Sequence, residues 1–127
     1  MQLLSIAVGG AAGALLRYTI SGWAYTWLGE HFPWGTLSVN LIGSFLIGLL
    51  WRVFTDVTIS PNTRALILVG GLGAFTTFST FSLESLNLLR SGQIRLGLLY
   101  ILANNVLGVF LVFTGIVCAR FVMMLWR

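Results

Sequence analysis

The sequence has very little charge. Only 8% of its 127 residues are charged, none of them lysine, and three acidic residues stand against seven arginines. A soluble domain usually carries about a quarter charged residues, so this composition favours a membrane protein. No paired acid and base, no nucleophile with a partner and no cofactor fingerprint can be found, and we therefore expect no enzyme.

Cysteine and histidine are almost absent as well. The single Cys118 has no intrachain partner for a disulfide and lies within an apolar run, and the single His31 follows Glu30 in a polar connection. No group of cysteine, histidine and carboxylate side chains has the spacing of a metal site. The sequence therefore predicts no metal site built from side chains.

The sequence contains long apolar runs. Four of them, at residues 3–28, 36–54, 63–89 and 96–126, have about the 17–25 residues that a helix needs to cross a bilayer. The connections between them are too short to fold independently. We therefore predict an all-α, multi-pass integral membrane protein, with residues 1–127 forming a single domain of four transmembrane helices in the lipid bilayer.

The arginines are scattered near the ends of these runs, which is typical of membrane spans and not of a nucleic-acid-binding surface. With four spans, the two membrane sides receive nearly equal numbers of them. On one side are Arg52, Arg64, Arg127 and Arg120, and on the other Arg90, Arg95 and Arg17. Since a clear bias is needed to fix orientation, the chain is predicted to insert both ways and to pair with itself in antiparallel fashion. A fixed topology set by the weak bias remains the alternative.

The first apolar run combines small residues with a charge. Gly9, Ala12 and Gly13 present a smooth surface on which another helix can pack closely. Arg17 follows in the same run, where a charge is costly and often functional. Two interpretations stay open for Arg17: a structural or pore-vestibule role, and simple extension to the membrane interface.

The second and fourth apolar runs contain three side-chain amides. Asn40 is close to the start of the second run, and Asn104 and Asn105 lie near the middle of the fourth. Asn40 either forms a hydrogen bond between helices or lines a path. Neighbouring helical residues point about 100° apart, so Asn104 and Asn105 cannot both face one partner; one is expected to line a path while the other bonds to a helix.

The most unusual segment is residues 70–85, GGLGAFTTFSTFSLES. Glycine lowers helix propensity by about 1 kcal/mol, and three glycines precede Thr76 and Thr77. We predict a break in the third helix at residues 73–77, with a closely packed unbroken helix as the alternative. A break at membrane depth survives only inside protein or beside water, and its carbonyl oxygens can bind a cation.

Beyond this break, Phe78 and Phe81 share a helical face. Polar side chains alternate with the two rings: Thr77, Ser79, Thr80, Ser82 and Glu84. Aromatic rings have a positive edge, and neutral ligands bind an ion weakly enough to release it. Because the other three apolar runs contain no acid, the pattern favours an anion path.

These residues resemble a known family. The motifs GTLSVN at 35–40, GGLGAFTTFSTFSLE at 70–84 and GALLRY around Arg17 are together similar to the Fluc fluoride channels, also called CrcB proteins. The resemblance extends over nearly the whole chain in length, number of spans and order of motifs.

The resemblance implies a passive fluoride channel in the inner membrane of a bacterium, which lowers cytoplasmic fluoride. Two chains would form an antiparallel homodimer with two pores and a central Na⁺. The implied sodium ligands are the main-chain carbonyls of Gly73 and Thr76. Phe78 and Phe81 would turn their ring edges to fluoride, Asn40 would donate hydrogen bonds to it, and Thr77, Ser79 and Thr80 would line its path. Arg17 and Glu84 would lie towards the pore entrances.

One position departs from the family pattern. Val109 follows Gly108 where family members often have a serine near the fluoride path. Either a hydroxyl group of the third helix takes the place of this serine, or the side of the path formed by the fourth helix is less hydrated.

Two other functions fit the sequence less well. A small multidrug transporter also has four spans, but it uses a carboxylate in its first helix, where this chain has Arg17 and no acid. A structural membrane subunit would explain the glycines but not the hydroxyl track, Asn40 and the predicted break.

Overall fold

A computed structural model of the chain describes residues 1–125. The helices form four spans, each long and apolar enough to cross a membrane by length and composition: span 1 is Gln2–Leu28, span 2 is Trp34–Asp56, span 3 is Pro61–Arg90 and span 4 is Ile94–Leu125. The predicted all-α class and the four spans are confirmed. The predicted end of the fourth span at Trp126 lies outside the described residues, as does Arg127.

Glycine, serine and proline residues mark the boundaries of spans 1 and 3. Gly29 and Gly92, which follow spans 1 and 3, have φ angles of 86° and 81°, a region that glycine reaches without steric cost. Span 3 begins at Pro61, and the hydroxyl of Ser60 accepts a hydrogen bond from the Thr63 amide at 3.1 Å. This is the usual start of a helix, with a hydroxyl cap followed by proline.

Glycine backbones bring the spans together in two pairs. Span 1 packs against the first half of span 3, where Gly9 and Gly13 face the carbonyls of Leu66 and Gly71 so closely that neither has room for a Cβ. Span 2 packs against span 4 in the same way, with Gly48 against the Val112 carbonyl. The predicted close-packing role of the glycines in span 1 is confirmed.

Span 3 is interrupted. It is π-helical over Ala65–Leu72 and α-helical over Gly73–Phe75. Thr76 and Thr77 are then extended, with ψ angles of 160° and 122°, before the helix resumes at Phe78–Arg90. The break therefore lies within the predicted residues 73–77.

Two of the glycines before the break also pack closely against another span. Gly70 and Gly71 lie within the helix and pack against span 1, where Gly70 faces the Ile6 carbonyl. Gly70 and Gly71 therefore have the close-packing role considered for an unbroken helix, and Thr76 and Thr77 leave the helix.

Span 4 has an irregularity of its own. It is α-helical over Ile94–Leu102, π-helical over Ala103–Leu107, and α-helical again from Gly108. The π-helical turn carries Asn104 and Asn105, and such turns are frequent at functional sites. It was not predicted, because nothing in the apolar pattern distinguishes a π turn from an α turn.

We predict that Gly9→Val destabilises the fold, because the added side chain meets the Leu66 backbone, which cannot move aside. Overpacking of this kind costs about 1–3 kcal/mol, so the melting temperature in detergent should fall. Gly22→Val is the matched control, since nothing lies within 4 Å of a Cβ at Gly22 in the same span. Equal melting temperatures for the two variants would contradict the packing role.

Candidate functional site

The break in span 3 is held by one side chain of span 2. The Asn40 Nδ2 atom donates to the Thr77 carbonyl at 3.1 Å, and the Asn40 Oδ1 atom accepts from the Thr77 amide at 2.9 Å. The side-chain amide thus pairs with both backbone groups of Thr77. We call this pair of hydrogen bonds the Asn40 clip.

The clip alters the hydrogen bonding of the preceding turn. In a continuous helix the Thr77 amide would bond to the Gly73 carbonyl, but here it bonds to Asn40. The Gly73 carbonyl thereby loses its regular partner. On the other side of the break, Thr77 Oγ1 accepts from the Thr80 amide at 3.3 Å and starts the next helix.

Asn40 also reaches span 4. Its Nδ2 atom donates to Asn104 Oδ1 at 3.0 Å, and Asn104 in turn donates to the Tyr100 carbonyl at 3.1 Å. Asn105 bonds within its own span, to the Ile101 carbonyl. The interhelical hydrogen bond considered for Asn40 is therefore present, and Asn104 is the amide of span 4 that bonds another helix.

A groove of about 380 Å³ opens beside the clip. It runs between spans 2, 3 and 4. Its polar lining comes from neutral side chains, with no acid or base: Asn40, Ser44, Thr76, Thr77, Asn104 and Asn105. Gly73, Phe78 and Phe81 line it as well. Such a lining offers an ion dipoles and no fixed charge.

The two phenylalanines lie together but in different surroundings. Their ring centroids are 5.4 Å apart and their planes are tilted by 52°. Phe81 is 7% exposed and packs against Tyr100, with the centroids at 5.5 Å, whereas Phe78 is 76% exposed on the single chain. Phe81 is therefore fixed by the core, and Phe78 borders the open side of the groove.

Glu84 lies in a second polar cluster. Its Oε1 atom accepts hydrogen bonds from the Tyr25 hydroxyl at 3.2 Å and the Thr36 hydroxyl at 3.0 Å, and its Oε2 atom accepts from the Tyr100 hydroxyl at 2.6 Å. The donors come from spans 1, 2 and 4. The three hydrogen bonds therefore tie span 3 to each of the other spans.

The remaining predicted residues lie outside the groove lining. Ser79 and Thr80 are exposed, and Ser79 Oγ lies 3.5 Å from Thr77 Oγ1. Arg17 is half-buried in span 1. Glu84 belongs to its own cluster. The structure thus brings together Asn40, Gly73, Thr76, Thr77, Phe78 and Phe81.

Several residues of these clusters were not singled out as site residues in the sequence. They are Ser44, Tyr25, Thr36 and Tyr100. Thr36 could have been found from the sequence, since it is part of the GTLSVN motif. The two tyrosines could not, because tyrosine near a span end is common at the membrane interface.

Ser44 lies near Gly108, the residue before Val109, where the sequence departs from the family pattern. Val109 is 73% exposed and does not line the groove. A Cβ at the preceding Gly108 would lie 3.4 Å from Ser44 Oγ. A hydroxyl of span 2 therefore lies beside this part of span 4.

Among residues 1–125 no three histidine, cysteine or acidic side chains come together as a metal site. The Gly73 carbonyl, which has lost its regular helical partner at the break, offers a cation a backbone oxygen.

Comparison with known proteins agrees with this geometry. A model of the CrcB-like, camphor resistance (CrcB) family matches residues 4–116. The chain is 54% identical over 123 residues to a protein of Magnetococcus marinus named fluoride-specific ion channel FluC, a match that covers 96% of this chain and 100% of the relative. It is 50% identical to the protein of that name from Salinibacter ruber, with 97% and 92% covered. For the one from Thermus thermophilus the identity is 47%, with 90% of both chains covered. By its family match and its relatives, the chain belongs to the CrcB family.

Proposed function

We propose that this chain conducts fluoride across a bacterial inner membrane by passive electrodiffusion and so lowers cytoplasmic fluoride. The names of its relatives support fluoride as the ion. The observation that carries the proposal is the groove, whose polar groups are all neutral hydroxyls and amides beside two aromatic rings. An ion channel must bind its ion well enough for entry and weakly enough for exit, and neutral donors meet both needs.

The two rings supply the anion preference. The positive edges of Phe78 and Phe81 attract an anion without the full counter-charge that would trap it. The hydroxyls of Thr77, Ser79 and Thr80 continue the path along the same helix.

Asn40 acts in this proposal through one of its two Nδ2 hydrogens. One hydrogen bonds the Thr77 carbonyl and maintains the clip, and the other bonds Asn104 Oδ1. A fluoride ion in the groove takes over the second hydrogen, while the clip stays closed. Arg17 and Glu84 lie towards the entrances and act on the passing anion from there.

The working unit in this proposal is an antiparallel, dual-topology homodimer with two pores. Two features support it besides the balanced arginines. The exposed face of Phe78 leaves the groove open on one side, where a second copy closes it. An apolar groove of about 340 Å³, lined by Gly9, Gly13 and Phe75 among others, gives a second copy a surface to cover.

A structural Na⁺ at the centre of the dimer is part of the same proposal. Its ligands are the carbonyls of Gly73 and Thr76 from each chain. The loss of the helical partner of Gly73 at the break supports this choice. No observation favours a multidrug transporter or a purely structural subunit over the channel.

We predict that Phe81→Ile reduces fluoride efflux from liposomes by about tenfold. The substitution keeps the apolarity but removes the ring edge. Contacts between aromatic rings contribute about 0.5–1.5 kcal/mol, and we expect the contact of a ring edge with fluoride to be of similar size. A tenfold change in rate corresponds to about 1.4 kcal/mol. Efflux is followed with a fluoride electrode.

Phe113→Ile is the matched control, because Phe113 is an exposed phenylalanine of span 4. Melting temperatures separate a lost ring edge from a lost fold, since Phe81 also packs in the core. Undiminished flux in a folded protein with both Phe78 and Phe81 replaced by isoleucine would contradict the aromatic assignment.

Dual topology has its own test. In a Cys118→Ser background, a cysteine replaces Thr58, which is exposed between spans 2 and 3. A membrane-impermeant maleimide should label about half of the protein in sealed vesicles and the other half only after permeabilisation. Labelling of all or none of the protein before permeabilisation would mean a single orientation.

A further inference from the structure

A second polar cavity lies where spans 2 and 4 end. It has a volume of about 270 Å³ and is lined by Arg52 and Asp56 of span 2 and by Arg120, Met123 and Met124 of span 4. It shares no lining residue with the groove beside the Asn40 clip. Whatever it binds is therefore separate from the proposed fluoride path.

On each span, the residues that line the cavity are spaced so that they lie on one face of the helix. Arg52 and Asp56 are four residues apart, and Met123 and Met124 lie three and four residues after Arg120, so each set shares one helical face. The two spans run in the same direction, which puts both faces at the same end of the bundle. The exposed Trp51 adjoins the cavity in sequence, and tryptophan is typical of the membrane–water interface.

The cavity carries an unbalanced positive charge. A terminal nitrogen of Arg52 pairs with Asp56 Oδ2 at 2.8 Å, which neutralises one guanidinium. Arg120 makes no salt bridge within residues 1–125, so the lining carries a net charge of one, from two arginines and one acid.

One donor in this cavity also lacks an acceptor. The Arg52 Nε atom is buried and has no hydrogen-bond partner in the part of the chain that the structure describes. A buried donor without an acceptor costs free energy. An anion whose oxygens accept a hydrogen bond from this donor therefore stabilises the site.

We propose that this cavity binds a monoanionic phosphate diester, the headgroup of an anionic phospholipid. Guanidinium groups match phosphate oxygens in geometry and bind them with charge-assisted hydrogen bonds. A single negative charge matches the net charge of the lining. Met123 and Met124 offer apolar surface to the adjoining glycerol and acyl carbons, and the position at the span ends is the depth of a lipid headgroup.

The test uses the purified full-length protein in detergent and native mass spectrometry. Phosphatidylglycerol, phosphatidylcholine and glycerophosphoglycerol (the soluble headgroup of the first lipid) are titrated separately. We expect phosphatidylglycerol to bind more tightly than the zwitterionic phosphatidylcholine. Arg120→Gln should weaken its binding by about tenfold, because a hydrogen bond between charged groups is lost.

Arg52→Lys is the second variant. It keeps the positive charge opposite Asp56 but removes Nε, and it should also weaken binding. Arg95→Gln is the control, since Arg95 is an exposed arginine at the opposite end of span 4. Melting temperatures measured without lipid verify that all variants are folded.

The outcomes separate the sources of the phosphate. Binding of glycerophosphoglycerol with the same dependence on Arg120 supports the phosphate site and assigns it a soluble ligand, whereas binding of the lipid alone assigns it to the membrane. An equal loss in Arg95→Gln, or no preference for phosphatidylglycerol over phosphatidylcholine, overturns the proposal and leaves Arg52 and Asp56 as a structural ion pair.

Discussion

Backbone groups at membrane depth must find partners within the protein, because lipid offers none. A break in a transmembrane helix violates that constraint unless something replaces the missing hydrogen bonds. In this chain the replacement is the Asn40 side chain, which pairs with both the amide and the carbonyl of Thr77. The groove, the Gly73 carbonyl without its regular helical partner and the start of the next helix at Phe78 all adjoin that pairing.

The second half of span 3 depends on a different interaction. Glu84 accepts hydrogen bonds from hydroxyl groups of each of the other three spans, which belong to Tyr25, Thr36 and Tyr100. Tyr100 joins this cluster to the groove, because its carbonyl accepts from Asn104 and its ring packs against Phe81. The Asn40 clip and the Glu84 cluster therefore fix the helix Phe78–Arg90 at two points, and Phe81 lies between these two points. A ring that meets an anion by its edge must be fixed in this way, since the attraction depends on its orientation.

Much of this could be predicted from the sequence, since the signals are strong at membrane depth. The lengths of the apolar runs predicted the four spans, and the three glycines before Thr76 and Thr77 predicted the position of the break. The partners of Glu84 could not be predicted, because hydroxyl residues far apart in the chain carry no pairing signal. The packing of Gly70 and Gly71 against span 1 could not be distinguished from chain breaking in the sequence, because both roles use glycine. The π-helical turn at Asn104 leaves no trace in hydropathy.

The central claim is that neutral dipoles and ring edges in the groove carry fluoride through the membrane. The most direct measurement is anion efflux from liposomes that contain the purified, folded protein, with fluoride and chloride followed by ion-selective electrodes in parallel. The account predicts rapid loss of fluoride without an imposed proton gradient and little loss of chloride. Retention of fluoride, or equal loss of both anions, would contradict it.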